Sequence, residues 1–127
     1  KNKYITIIQD LGNSFPRKVG YYCKGQKQKE INLISNFDFA GIGIDHNMDL
    51  EHFLSNTNHG FIQGNFDESK MLMSESDLSK EINIYCDKIK NYESNKGWVC
   101  GLGHGINKVT PEKNVHLFID IIRKRFK

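Results

Sequence analysis

The sequence predicts a parallel α/β sheet, and three observations predict it. Four short apolar segments rich in strand formers recur along the chain, at residues 19–23, 40–45, 60–65 and 97–102. Stretches of helical periodicity separate them. The strand segments also show little apolar–polar alternation, as expected of strands covered on both faces. Parallel neighbours need crossover connections, and those crossovers are almost always right-handed.

Each element follows from local pattern. Tyr4, Ile5, Ile8 and Leu11 fall at helical spacing, and Gly12 with Asn13 supplies a left-handed stop. After the Phe15-Pro16 break, Val19-Gly20-Tyr21-Tyr22-Cys23 is the first strand, closed by Lys24-Gly25, and Ile31, Leu33 and Ile34 mark a short helix. Ala40-Gly41-Ile42-Gly43-Ile44-Asp45 is the second strand, followed by a brief helix at Leu50, Phe53 and Leu54. Gly60-Phe61-Ile62-Gln63-Gly64-Asn65 is the third. Ser74-Glu75-Ser76-Asp77 then opens a helix whose apolar positions are Leu78, Ile82, Tyr85 and Ile89. Gly97-Trp98-Val99-Cys100-Gly101-Leu102 is the fourth strand. The last helix takes Thr110 as its cap and Pro111 at its first position, buries Val115, Phe118, Ile119 and Ile122, and ends in Arg123, Lys124 and Arg125. A doubly wound sheet and half of an eight-stranded barrel both satisfy this order. A whole barrel takes about 250 residues, so four units would be half of one.

Composition narrows the class. At 127 residues, with 38% hydrophobic and 26% charged residues, the chain suits one globular domain with a modest core. No apolar run approaches the roughly 20 residues a membrane span needs. The first residues show neither a signal peptide's apolar core nor an initiator methionine, so a natural start upstream is expected. The net charge of +3 comes from lysines scattered among carboxylates, which argues against a nucleic-acid groove and hints at an anionic small ligand. Cys23, Cys86 and Cys100 are odd in number and lack a Cys-x-x-Cys pair, which argues against a disulfide framework and points to a reducing compartment.

The richest motif is Gly101-Leu102-Gly103-His104-Gly105-Ile106, between a strand and a helix. It fails the dinucleotide fingerprint and the nucleotide P-loop, because neither the third glycine nor a Lys-Ser/Thr pair falls where those motifs need it. The glycines serve a sharp turn. His104, flanked by residues without Cβ atoms, is exposed to whatever occupies the strand ends, where parallel α/β folds bind ligands. Lys24, Asp45, His46, Gln63 and Asn65 close other strands, and with His104 they predict one polar rim. Asp49 or Asn47 can cap the helix after the second strand. His46, His52, His59 and Cys23 could ligate a metal, but no His-x-x-x-His or His-x-Cys pair occurs, so no metal is expected. Cys23 and Cys100 fit small buried hydrophobes better than nucleophiles.

The succession Gly41-Ile42-Gly43-Ile44-Asp45, Gln63-Gly64-Asn65-Phe66-Asp67, Leu102-Gly103-His104-Gly105-Ile106 and Thr110-Pro111-Glu112-Lys113-Asn114-Val115 resembles the carboxyl-terminal part of uroporphyrinogen decarboxylase, over nearly the whole chain. The resemblance implies a (β/α)8 TIM barrel, with residues 1–127 as its last four strand–helix units and the amino-terminal half absent. It implies removal of carbon dioxide from the four acetate side chains of uroporphyrinogen, without metal or organic cofactor, by a cytoplasmic homodimer; an import peptide would lie upstream of Lys1. Position by position, it makes His104 a substrate-binding residue and assigns no catalytic residue to this chain, since the family's arginine-rich segment and its aspartate would precede Lys1. Departures are Asp45-His46 where the family commonly has Asp-Trp, and Gly101 where it commonly has asparagine. The related corrinoid methyltransferases share the barrel but bind zinc through His-x-Cys and a late cysteine. Tyr21, Cys23 and His104 stand at those places here, which makes that reading the runner-up. A non-catalytic half-barrel is a further alternative.

Overall fold

The computed structural model describes residues 3–56, 60–92 and 97–127. Its elements run α1 (Lys3–Ser14), β1 (Gly20–Tyr22), α2 (Gln28–Ile34), β2 (Gly41–Gly43), α3 (Leu50–Asn56), β3 (Phe61–Gln63), a 3-10 helix (Glu68–Leu72), α4 (Glu75–Lys90), β4 (Trp98–Val99) and α5 (Glu112–Arg125). All four strands are parallel and pair in the order β1-β2-β3-β4. That order chooses between the two candidate architectures. A doubly wound sheet reverses its strand order at a switch point, whereas this order never reverses. Crossovers of one hand then place every helix on one side, and the chain forms four βα units of the barrel fold.

Side-chain direction agrees. Tyr21, Ile42 and Ile62 are buried toward the helices, where they meet Ile31, Ile34, Leu78 and Ile82, each at most 1% exposed for those four. Burying each such aliphatic side chain stabilises the fold by roughly 1.5–3 kcal/mol. Residues next to these along each strand face the other way, and Tyr22, Gln63 and Val99 are exposed there. The expectation of strands covered on both faces is therefore corrected. The lack of alternation in the sequence came from glycines, Gly20, Gly41 and Gly43, standing on the uncovered face where polar residues would have revealed the period.

Helix boundaries follow their caps, with two corrections. Helix α1 runs through Gly12 to Ser14, and Gly12 is a buried residue within it, 3.6 Å from the Phe39 ring at its Cβ position, without the left-handed backbone of a stop. The left-handed residue that follows is Arg17, at φ 55°. Helix α5 takes Pro111 as its cap, extended at φ −61° and ψ 131°, so Thr110 stands one residue outside. Ser74 caps α4 as expected, accepting from the Asp77 N–H, and Asp49 accepts from the His52 N–H at the start of α3. The basic end of α5 is also as expected. Its buried residues, however, are Phe118 and Asn114, while Val115 and Ile122 are half-buried and Ile119 is exposed.

Asn114 ties α5 to the segment before α4. Its Nδ2 donates to Met71 O at 2.8 Å and to Met73 O at 2.9 Å. Replacing Asn114 with Ala leaves two carbonyls without their donor, and urea unfolding should show a loss of roughly 1–3 kcal/mol.

Candidate active site

The uncovered face of the sheet forms a cleft of about 560 Å³ that opens at the carboxyl ends of the strands. Its floor depends on absent side chains. A Cβ on Gly41 would run into the Phe61 ring, and one on Gly43 would lie 3.0 Å from Tyr22 Cδ2. The two rings therefore lie down across the neighbouring strand and make the apolar, aromatic part of the concave surface, with Gln63 beside it.

The rim above this floor carries His104. Beyond β3 and β4 the parallel pairing continues irregularly, through the bridge between Phe66 and Leu102 and a 2.7 Å bond from the Gly103 N–H to Phe66 O. This hands the chain to Gly103, which packs so closely on the β2 loop that a Cβ there would sit 2.5 Å from the His46 nitrogen. His104 follows at once and borders the cleft. Tyr22 reaches it from the far strand: its hydroxyl donates to Gly103 O at 2.8 Å and lies 3.2 Å from His104 Nδ1, with the two rings stacked at 6.5 Å. Burial raises the Tyr22 phenol's pKa, with Asp45 and Glu68 adding to it, so the hydroxyl keeps its proton.

The polar rim expected from the sequence divides in two. Gln63 and His104 line the cleft. Asp45, 1% exposed, instead accepts from the Gly25 and Asn47 N–H groups, and Asn65 donates to Asp45 O and Met48 O. These two hold the loops. Tyr85 and Trp98 both donate to Gly64 O and fix the turn between them. Lys24 is exposed outside the cleft lining. His46 turns to Glu68, with Nδ1 3.2 Å from Oε2. Asp67 stands with that pair, their potential ligand atoms all within 4.8 Å, which residues so far apart in sequence did not suggest. Bonds from Ser69 hold the Asp67 carboxyl below its ordinary range, against the opposing effect of burial. His52 lies on α3 and His59 outside the described residues.

The residue that sequence reasoning missed is Tyr22. It counted only as a strand former, although its spacing from Gly20 puts it on the uncovered face. The zinc set of the methyltransferase reading does not assemble: Tyr21 points toward the helices and bonds Gln26, and among the described residues no group of three metal donors includes Cys23 or His104.

A singly wound arc of βα units, with a cleft at its strand ends and a histidine on the rim, defines a segment of a barrel whose ligand site follows the common rule for that fold. Comparison with known proteins makes the class particular. The family model described as Uroporphyrinogen decarboxylase (URO-D) matches residues 2–125, and the chain belongs to that family. It is 30% identical over 118 residues to a uroporphyrinogen decarboxylase of Orientia tsutsugamushi (strain Ikeda), covering 92% of this chain and 34% of that protein. Against the enzyme of that name from Neorickettsia sennetsu it is 30% identical over 113 residues, covering 87% and 31%. Against that from Wigglesworthia glossinidia brevipalpis it is 33% identical over 122 residues, covering 91% and 32%. The chain thus spans about a third of the length of the curated relatives it matches.

The thiol that follows β4 gives a separate check on packing. Burial pushes the Cys100 thiol up to about 11. At pH 8 about one part in a thousand is then thiolate, so alkylation by iodoacetamide should run on the order of 100-fold slower than for a free cysteine of pKa about 8.5. The rate should rise about tenfold per pH unit until pH approaches 11, as read by peptide mass mapping.

Proposed function

We propose that this chain is the carboxyl-terminal part of a uroporphyrinogen decarboxylase and forms one wall of the cleft in which the four acetate side chains of uroporphyrinogen lose carbon dioxide. The observation that carries the reading is His104, held at the rim over an apolar, aromatic floor. A tetrapyrrole offers flat apolar rings for such a floor and carboxylates for such a rim. Family membership over residues 2–125 supports uroporphyrinogen as the substrate.

In this reading His104 binds a substrate carboxylate and orients the tetrapyrrole, with Tyr22 and Phe61 against its apolar body. The first amino-terminal turn of α5 lies downstream of β4, so its positive end adds to a field suited to an anion. Protonation of the pyrrole makes a cation that gives the electrons of the breaking carbon–carboxylate bond a sink; carbon dioxide leaves, a proton adds to the methylene carbon left behind to make a methyl group, and the ring gives up the proton it took. An acidic group outside this chain stabilises the resulting cation. The chemistry uses no metal or organic cofactor, and uroporphyrinogen is the small-molecule partner. The complete enzyme is a cytoplasmic homodimer. Among the described residues, no helix is long and apolar enough to cross a membrane.

Residues 1–127 alone should be inactive. Mixed with an amino-terminal half of the barrel they should release carbon dioxide from uroporphyrinogen, and His104→Ala in the same mixture should lower kcat/KM by at least tenfold. Equal rates for the two mixtures remove His104 from the site. No activity in any mixture, with a folded complex present, favours a non-catalytic half-barrel.

A further inference from the structure

The bond between Tyr22 and the Gly103-His104 turn determines more than the position of the imidazole. The Tyr22 oxygen has two neighbours, Gly103 O at 2.8 Å and His104 Nδ1 at 3.2 Å. A phenol carries one proton. A carbonyl can only accept, so that proton goes to Gly103 O and the phenol oxygen presents a lone pair to Nδ1. Nδ1 must then bring its own hydrogen, which makes the neutral ring an Nδ1–H tautomer with a bare Nε2. The opposite arrangement, in which the phenol donates to Nδ1, would give up the shorter bond and leave Gly103 O without its donor.

A bare Nε2 can accept a hydrogen bond but cannot donate one to a carboxylate. The Nε2 lone pair and a carboxylate oxygen repel when they face each other, so the neutral ring is a poor partner for an acidic substrate. The imidazolium has hydrogens on both nitrogens and keeps its contact with Tyr22 while donating from Nε2. We propose that Tyr22 is a positioning residue that locks His104 in the Nδ1–H form, so that a carboxylate is bound at His104 only together with a proton. This rests on the reading of His104 as the carboxylate contact and deepens it: the site selects for the protonated ring, and ligand binding takes up a proton.

The other groups around the pair do not supply an alternative switch. From β1, Tyr22 faces the ring and Cys23 follows it. From the end of β2, Asp45 is buried and bound by the Gly25 and Asn47 N–H groups. From the 3-10 helix, Glu68 is paired with His46. From β3, Gln63 is uncharged. The phenol, its pKa raised chiefly by burial, remains the protonated donor that the bond pattern requires.

The test has two readouts. The first is the 15N spectrum of the His104 ring in the chain and in Tyr22→Phe, which keeps the aromatic ring and removes the hydroxyl. Above the pH at which the ring titrates, the unaltered chain should show the Nδ1–H form, and Y22F should move to the mixture of an unrestrained imidazole. An Nε2–H ring in the unaltered chain, or the same tautomer in both, overturns the role of Tyr22. The second readout is fluorescence titration with uroporphyrin, a stable octacarboxylate, in the chain combined with the amino-terminal half of the barrel. The affinity of the unaltered protein should fall about tenfold per pH unit above the ring's titration, as one coupled proton requires, and that of Y22F should fall by less. Equal slopes overturn the proton coupling while leaving His104 as a contact. Binding that His104→Ala leaves unchanged overturns the reading of His104 itself, and the tautomer result still stands on its own.

Discussion

The arrangement of this molecule depends on four short parallel strands pairing strictly in chain order. With crossovers of a single hand, that order leaves no freedom in where the helices lie: all are on one side, and their apolar faces share one core with Tyr21, Ile42 and Ile62. The other face of the same residues' strands cannot be covered by anything the crossovers bring. Register then determines what stands there. Gly41 is opposite Gly20 on one side and Phe61 on the other, and Gly43 lies between Tyr22 and Gln63. Two large rings can lie flat only because their neighbours have no side chains.

The rim illustrates how a fold divides its polar residues between holding and presenting. Asp45 and Asn65 stand at strand ends in sequence, yet each is turned inward to satisfy backbone groups of adjacent loops. A buried carboxylate or amide is tolerated when its bonds are made, and here those bonds set the loop positions. Gly103 then rests on the loop they have set, and His104 is presented beyond it. The same contact that aims the ring, from Tyr22, comes from a strand 82 residues earlier in the chain. A site built in this way is as rigid as the register between first and last strand.

The family membership places this geometry in a barrel family. Among the described residues the cleft brings together aromatic rings, Gln63 and the His104 imidazole, in a chain that spans about a third of its relatives' length. Beside the strands at either end, β1 and β4 have one neighbour each among the described residues. Exposed parallel edges invite pairing.

The sequence by itself determined the element order, the helix that Ser74 opens, and the apolar faces of α4, because these arise from interactions within a few residues. It also singled out His104, since a histidine between glycines in a strand-to-helix turn has few structural uses. It could not say which polar strand-end residues face the cleft, because Asp45 and Asn65 have the same local pattern whether they bind a ligand or a loop. It misjudged the strands as doubly covered, because glycines conceal alternation, and it overlooked Tyr22, whose partner is distant in the chain. Sheet order, the uncovered face and the Tyr22–His104 contact belong to the tertiary structure alone. Each depends on which strands become neighbours, and neighbourhood between distant segments leaves no mark on local periodicity.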